Sequence, residues 1–344
     1  MIEYDCSIIK PAVLRMLTVN MGLKEGEKVL FVGDVPNLPD WYGGYDVISD
    51  MVLRVLMIRQ AYDIAKQTFT KNQVDFLIYP ATGAHGMEPP SEVAKRMLDY
   101  DVIIIITSYS LSHTNARGNA CAEGARIASC ANLDLDMLYP QGVVDTDYFA
   151  IQAKSEHIAN LLTEAKDVRV TTPQGTDIRF SLEGRQGYSD DGFYTEPGAW
   201  GNLPGGEAYT TPLEGTGEGK IVVPAGWAYG LTEDITFYVE KGELQRIEGG
   251  GELGDFYCDF LLGPDSPRSR RNLAELGIGT NNKARKADNV LEAEKIDGTV
   301  HLAFGDNAHM GGVVESDFHD DFVLPKPDLY LDNKLVMKAG QLLV

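Results

Sequence analysis

Residues 101–107 read DVIIIIT. A strand with one face in water alternates apolar and polar residues. This run does not, so it is expected to be covered on both faces, as in the middle of a parallel sheet. Working outward, short strand-like runs at 29–32 (VLFV), 75–79 (DFLIY) and 126–129 (RIAS) alternate with helical periodicity over 10–23, 47–68, 90–98, 114–123 and 147–165. Strands alternating with helices predict a doubly wound α/β layer. The character changes near residue 167. Runs 168–172 and 178–182 are strand-like and joined by the turn PQGTD, glycines become dense, and 220–224, 235–240 and 245–248 read as further strands. The predicted class is α/β, with an N-terminal doubly wound α/β domain over 1–166 followed by a β-rich α+β domain over 167–344.

The bulk properties agree with two domains. The chain has 344 residues, 44% hydrophobic and 24% charged, a globular composition. A net charge of −21 argues against nucleic acid and anionic membranes as partners, which require a basic face, and suits a protein that holds cations or small molecules. The longest strongly apolar run, 102–106, is far too short to span a bilayer. Cys6, Cys121, Cys130 and Cys258 show no CxxC spacing, and MIEYDCSIIK carries no apolar leader, so a cytoplasmic protein is expected. The strand end GDVPNLPDWYGG lacks GxGxxG spacing and is broken by prolines, which removes the backbone cradle a dinucleotide needs.

Chemistry-bearing residues concentrate toward the C-terminus. Of the six histidines, His157 falls on a helix and reads as surface, while His85 and His113 fall in loops after strands. His301 lies in GTVHLAFG, where Thr299, His301 and Ala303 share one face of a strand and Val300, Leu302 and Phe304 the other. It is either a satisfied core residue or a ligand. The run SDFHDD (316–321) is either a solvated acidic turn or part of a metal site. In an extended segment His319 and Asp321 point the same way and can grip one ion. His301, His319 and Asp321 together suit zinc, cobalt, manganese or ferrous iron. Glu207, in GGEAYTTP, lies between a Gly-Gly turn and a β-prone Ala-Tyr-Thr-Thr, and Glu275, in NLAELGIG, lies inside an apolar run where a carboxylate is costly to bury unless paired or coordinated. If 273–277 is helical, Glu275 points to water instead.

The motifs GGEAYTTP, NLAELGIG, KIDGTVHLAFGDN and GG-x3-S-x2-HxD, in that order, resemble the M29 metalloaminopeptidases, also called the aminopeptidase T or thermophilic family. SLSHTNARGNACAEGARIAS in the first half resembles it more weakly. The resemblance implies a C-terminal domain holding two divalent metals through Glu207, Glu275, His301, His319 and Asp321. It also implies a cytoplasmic homodimer that releases N-terminal residues from small peptides with zinc, cobalt or manganese. The two ions would activate a shared water as the nucleophile. Glu207, Glu294 and His309 are the candidates for catalytic roles, with Glu294 as general base or, alternatively, a member of a surface salt bridge. One position departs from the family: its tyrosine seven residues after the strand histidine is Ala308 here, beside His309.

The 2,5-dihydroxypyridine dioxygenases resemble the same fold and are the alternative. That resemblance implies a single ferrous iron held by HxD, with a histidine at the position of Glu275 and apolar residues at those of Glu207 and His301. This sequence keeps both glutamates and His301, so its ligand chemistry places the aminopeptidase first and the mononuclear dioxygenase second.

Overall fold

Val102–Ile106 is a strand in which every residue is buried, as its two-sided apolar run requires. In the computed structural model, which describes residues 6–344 apart from the side chains of Cys6 and His309, it is the centre of a five-stranded sheet. The order is Gln73–Pro80, Lys28–Val35, Val102–Ile106, Arg126–Ser129 and Trp200–Asn202, with every pairing parallel. Helices Tyr45–Thr68, Ser91–Met97 and Asn115–Ala122 connect the first four strands, as the alternation predicts. The N-terminal helix Lys10–Arg15 runs into a π-turn, Met16–Asn20, and stops short of residue 23 because Gly22 takes a left-handed φ of +53°. Strand Trp200–Asn202 was not expected, since three residues, WGN, are too few to show a period.

The chain divides into two compact units. The first runs to Tyr148 and takes in Gly192–Gly205, and the second comprises Phe149–Asp191 and Gly206–Val344. This differs from a division at 166. Helix Tyr148–Glu164 buries Ile158, Ala159 and Leu162 in the hydrophobic cluster of the second unit, while the strand from Trp200 completes the first unit's sheet.

The second unit contains two antiparallel sheets. One has eight strands, ordered Glu243–Gly249, Ile235–Glu240, Glu218–Val223, Asp177–Ser181, Asp167–Thr171, Asp328–Leu331, Lys334–Lys338 and Gln341–Leu342. The other has five, ordered His319–Leu324, Val300–Gly305, Leu273–Gly279, Glu207–Thr210 and Tyr188–Asp190. Residues 273–277 are therefore strand, and all seven residues of Leu273–Gly279 are buried. One face of the five-stranded sheet supplies Leu276, Ile278, Val300, Leu302, Phe304, Phe322 and Leu324 to the core. Phe237 of the eight-stranded sheet packs on that face, with ring centroids 4.4 Å from Phe322 and 5.5 Å from Phe304. Tyr257, from helix Gly251–Leu262, adds an edge contact to Phe322 at 5.3 Å.

This aromatic cluster fixes which face of the sheet the apolar residues occupy, and so which face is left for polar ones. Phe237→Ala is expected to cost about 3–5 kcal/mol in the transition that unfolds the second unit, as a buried aromatic truncation does. Urea denaturation followed by near-UV circular dichroism measures it, and a cost under about 1 kcal/mol would contradict this packing.

Candidate metal centre

Side chains alternate along a strand, and residues directly opposite in antiparallel strands share a face. Across the five-stranded sheet, Glu207 pairs with Gly279, and Gly277 pairs with both Tyr209 and His301. Glu275 pairs with Ala303, Ala303 with Asp321, and Gly305 with His319. Four strands therefore bring Glu207, Glu275, His301, His319 and Asp321 to the face opposite the aromatic core. The residues between them, Gly277, Gly279, Ala303 and Gly305, are small. At Gly277 this is obligatory, because a Cβ there would lie 1.8 Å from Nε2 of His301. The imidazole lies across the neighbouring strand where only glycine leaves room.

The five residues form two groups that share Glu275. Glu207, Glu275 and His301 make one, Glu275, His319 and Asp321 the other, and within each group the donor atoms lie within 4.8 Å of one another. Glu275 divides its oxygens: Oε1 is 3.5 Å from His301 Nε2, and Oε2 is 3.1 Å from His319 Nε2. Glu207 Oε2 is 3.2 Å from His301 Nε2, and Asp321 Oδ1 is 3.8 Å from His319 Nε2. Neither of these carboxylate oxygens has a hydrogen-bond partner among the described residues, although both are buried. The 3.2 Å approach at Glu207 is close but lacks hydrogen-bond alignment. Buried oxygens left this way fit divalent cations.

The two groups differ in how their histidines are held. His319 Nδ1 lies 2.7 Å from the backbone carbonyl of Asp306. A carbonyl only accepts, so Nδ1 carries the proton and Nε2 is turned toward Glu275 and Asp321, the orientation a metal-ligating imidazole takes. The turn Gly305–Asn307 is itself fixed. Asp306 N–H donates to the Phe318 carbonyl at 2.8 Å, the Asp306 carboxylate accepts from Ser316 N–H at 3.0 Å, and Asn307 Oδ1 accepts from Val314 N–H at 2.9 Å. His301 Nδ1 has no hydrogen-bond partner among the described residues.

Burial raises the carboxyl of Glu207, but Lys295 and His301 outweigh it and hold the group below its ordinary value. Burial likewise raises Glu275, and His301 and His319 reverse the direction. In Asp321, His319 does the same. The imidazoles go the other way. Burial lowers them, but Glu207 and Glu275 around His301, and Asp321 and Glu275 around His319, drive both well above the ordinary value. Without a metal, imidazolium protons balance the carboxylates.

Two further ionisable residues adjoin the centre. Lys295 is completely buried, with Nζ 2.6 Å from Glu207 Oε1, 2.8 Å from Glu294 Oε1 and 3.8 Å from Asp190 Oδ2. Burial would lower its ammonium, yet Glu207, Glu294 and Asp190 push it well above the ordinary value. Glu294 is buried too, so the surface salt bridge read from its charged segment is replaced by an internal one. Burial, with Glu207 and Asp321 adding to it and Lys295 opposing, raises its carboxyl well above the usual range. Lys295 was missed by sequence reasoning, because in LEAEKIDG it reads as one more solvated charge. Asp320 alternates with His319 and Asp321, which puts it on the other face of the strand. It is half-buried, accepts a hydrogen bond from Tyr257, and is pushed up to about 6 by burial. Asp317 is held by Arg270 through bonds of 2.8 and 2.6 Å and is not a ligand. Ala308–Met310 forms a single 3-10 turn, and the side chain of His309 lies outside the described residues. His85 and His113 belong to the first unit, His157 is exposed on its helix, and neither ligand group includes them.

A family model described as NicX, 2,5-dihydroxypyridine 5,6-dioxygenase, matches residues 52–344. The 2,5-dihydroxypyridine 5,6-dioxygenase of Pseudomonas putida KT2440 is 28% identical over 194 residues, which are 52% of this chain and 55% of that protein. The match therefore spans about half the length of the curated relative. Among solved structures, a 2,5-dihydroxypyridine dioxygenase from Pseudomonas putida KT2440 superposes with a TM-score of 0.75 at 18% identity, covering 99% of this chain and 98% of that one. Wild-type AmpT from Thermus thermophilus superposes with a TM-score of 0.64 at 14% identity, covering 98% and 99%. At these identities the likeness of the structures is one of fold.

Asp321→Asn is expected to remove a bound metal from the purified protein. Asp320→Asn, on the opposite face, should leave the metal content unchanged. Elemental analysis of both variants checks the assignment, and equal losses would place the strand the wrong way round. Metal must also displace the imidazolium protons. Because His301 and His319 are raised above 6.5, those protons are still competing at that pH. Cobalt(II) affinity should therefore go on rising as pH increases above 6.5, with proton release on binding. Calorimetry in buffers of different ionisation enthalpy measures both, and an affinity flat above pH 6.5 would contradict it.

Proposed function

The chain belongs to the 2,5-dihydroxypyridine 5,6-dioxygenase family, and from that membership we propose that it is a metal-dependent dioxygenase that opens a dihydroxylated pyridine or a closely related ring. The observation that carries the reading is the family match, whose span includes every residue of the centre. It reverses the order in which the sequence ranked the two activities.

In this reading Glu275, His319 and Asp321 would hold one ferrous ion. Imidazole and carboxylate donors without thiolate suit iron(II). When bound, the ion would supply a redox-active Lewis acid. The Asp306 carbonyl holds His319 in the tautomer that presents Nε2. Tyr209 lies on the ligand face opposite Gly277 and stacks on Tyr188 with ring centroids 5.6 Å apart, giving a planar surface for an aromatic ring. Burial, with Asp190, Glu275 and Glu207 adding to it, keeps the Tyr209 hydroxyl protonated as a neutral donor. Glu294 adjoins the same centre, with Oε1 2.8 Å from the Lys295 ammonium.

A second reading, a two-metal aminopeptidase, is favoured by one specific observation. Glu207, Glu275 and His301 form a second ligand group, and Glu275 turns one oxygen to each. Protein loaded anaerobically with iron(II) and then given air and 2,5-dihydroxypyridine should take up oxygen and lose the ring absorbance. Asp321→Asn should reduce that rate at least 100-fold. No uptake across a panel of dihydroxypyridines, with p-nitroaniline released from aminoacyl-p-nitroanilides under cobalt, zinc or manganese, would overturn the dioxygenase and establish the second reading.

A further inference from the structure

Among the described ion pairs, Lys295 differs from the other lysines. The lysines paired with Glu25, Asp297 and Glu183 are partly or largely exposed, whereas the side chain of Lys295 has no exposure at all. A buried ammonium is costly unless paired and hydrogen-bonded, and this one meets three carboxylates, two of them within 2.8 Å. Its backbone is pinned as well. Asn281 N–H donates to the Lys295 carbonyl at 2.9 Å, and Lys295 N–H donates to the Glu292 carbonyl at 3.1 Å. The side chain is thus aimed at Glu207 by a fixed turn.

Only one of the two ligand groups feels it directly. Lys295 takes Oε1 of Glu207, which belongs to the group with His301. That group also has the histidine whose Nδ1 lacks a hydrogen-bond partner among the described residues. The group with His319 and Asp321 has no lysine on its own ligands among the described ion pairs, and its histidine is oriented by the Asp306 carbonyl. We propose that Lys295 is a built-in cation that makes the two groups unequal, so that Glu275, His319 and Asp321 hold one metal ion tightly while Lys295 keeps a second from competing for Glu207. A second ion would share that carboxylate with the ammonium and be repelled by it. Lys295 is a positioning residue in this account, acting through Glu207. The inference deepens the one-ion reading above and rests on it for the count. The test uses no substrate, so a failure to detect oxygen uptake leaves its outcome separate.

The full-length protein, stripped with chelator, is titrated with cobalt(II) and read by calorimetry and by the cobalt absorption bands. The wild type should bind one ion tightly and a second at least ten-fold more weakly. Lys295→Met should tighten the second ion at least ten-fold, and Lys295→Arg, which keeps the charge, should restore the wild-type inequality. Two ions of equal affinity in the wild type would overturn the proposal. So would a second ion unchanged or weakened in Lys295→Met, which would mean that the lysine merely orients Glu207. If Lys295→Met does not fold by circular dichroism, Glu207→Gln decides. The first ion's affinity should stay within three-fold of wild type in that variant, while Glu275→Gln should lose it. Loss of the first ion in Glu207→Gln would likewise sink the idea.

Discussion

The buried carboxylate of Glu275 is the constraint on which the second unit is organised. An unpaired carboxylate in a sheet interior costs several kcal/mol, on the order of the net stability of a domain. Here it is flanked on each side by an imidazole, one at 3.5 Å and the other at 3.1 Å. The strand that carries it is buried along its whole length, so the charge cannot be relieved by turning to water. What makes the arrangement possible is the opposite face. Leu276 and Ile278 join Leu302, Phe304, Phe322 and Leu324 in the core, and a shift of one residue in any of these strands would move ligands into the aromatics. Core packing and ligand geometry are thus enforced by the same register.

Charge balance follows from that register. Glu207, Glu275 and Asp321 converge with two histidines, and without metal the imidazoles take up protons while Lys295 supplies a fixed positive charge. A divalent ion, when bound, would replace the protons and stabilise only the folded chain. The lysine cannot be displaced in the same way, because its backbone is held by Asn281 and its surroundings are closed.

Much of this was legible in the sequence, for identifiable reasons. The VIIII run announces a doubly covered strand, and the helices around it show their period over seven or more residues. The alternation in TVHLAFG already separates His301 from Val300 and Leu302, and the HxD spacing puts His319 and Asp321 on one side. The five ligand candidates are the five that converge. What could not be read depends on contacts distant in sequence. Whether 273–277 is strand is decided by pairing on both sides rather than by its own composition. The burial of Lys295 depends on Glu207, 88 residues away. The orientation of His319 depends on a backbone carbonyl, which no residue type reveals. The unit boundary was hidden because a three-residue strand at 200–202 returns to the first sheet.

The order of the two activities has a physical lesson of its own. Ligand chemistry read residue by residue favours two ions, whereas the resemblance to the 2,5-dihydroxypyridine dioxygenases implies one. These are compatible once the donors are not counted as equivalent. A carboxylate with one oxygen held by a buried ammonium is a poorer metal ligand than one with an ammonium on neither oxygen, and an imidazole without a partner on its outer nitrogen is less well oriented than one with it. By both criteria the Glu275, His319 and Asp321 group is the better site, and the Glu207 and His301 group the weaker. A fold that hosts different chemistries need not change its donors to change its metal count. It is enough to change what the donors are already holding, and in this chain that role falls to one lysine on the turn before the His301 strand.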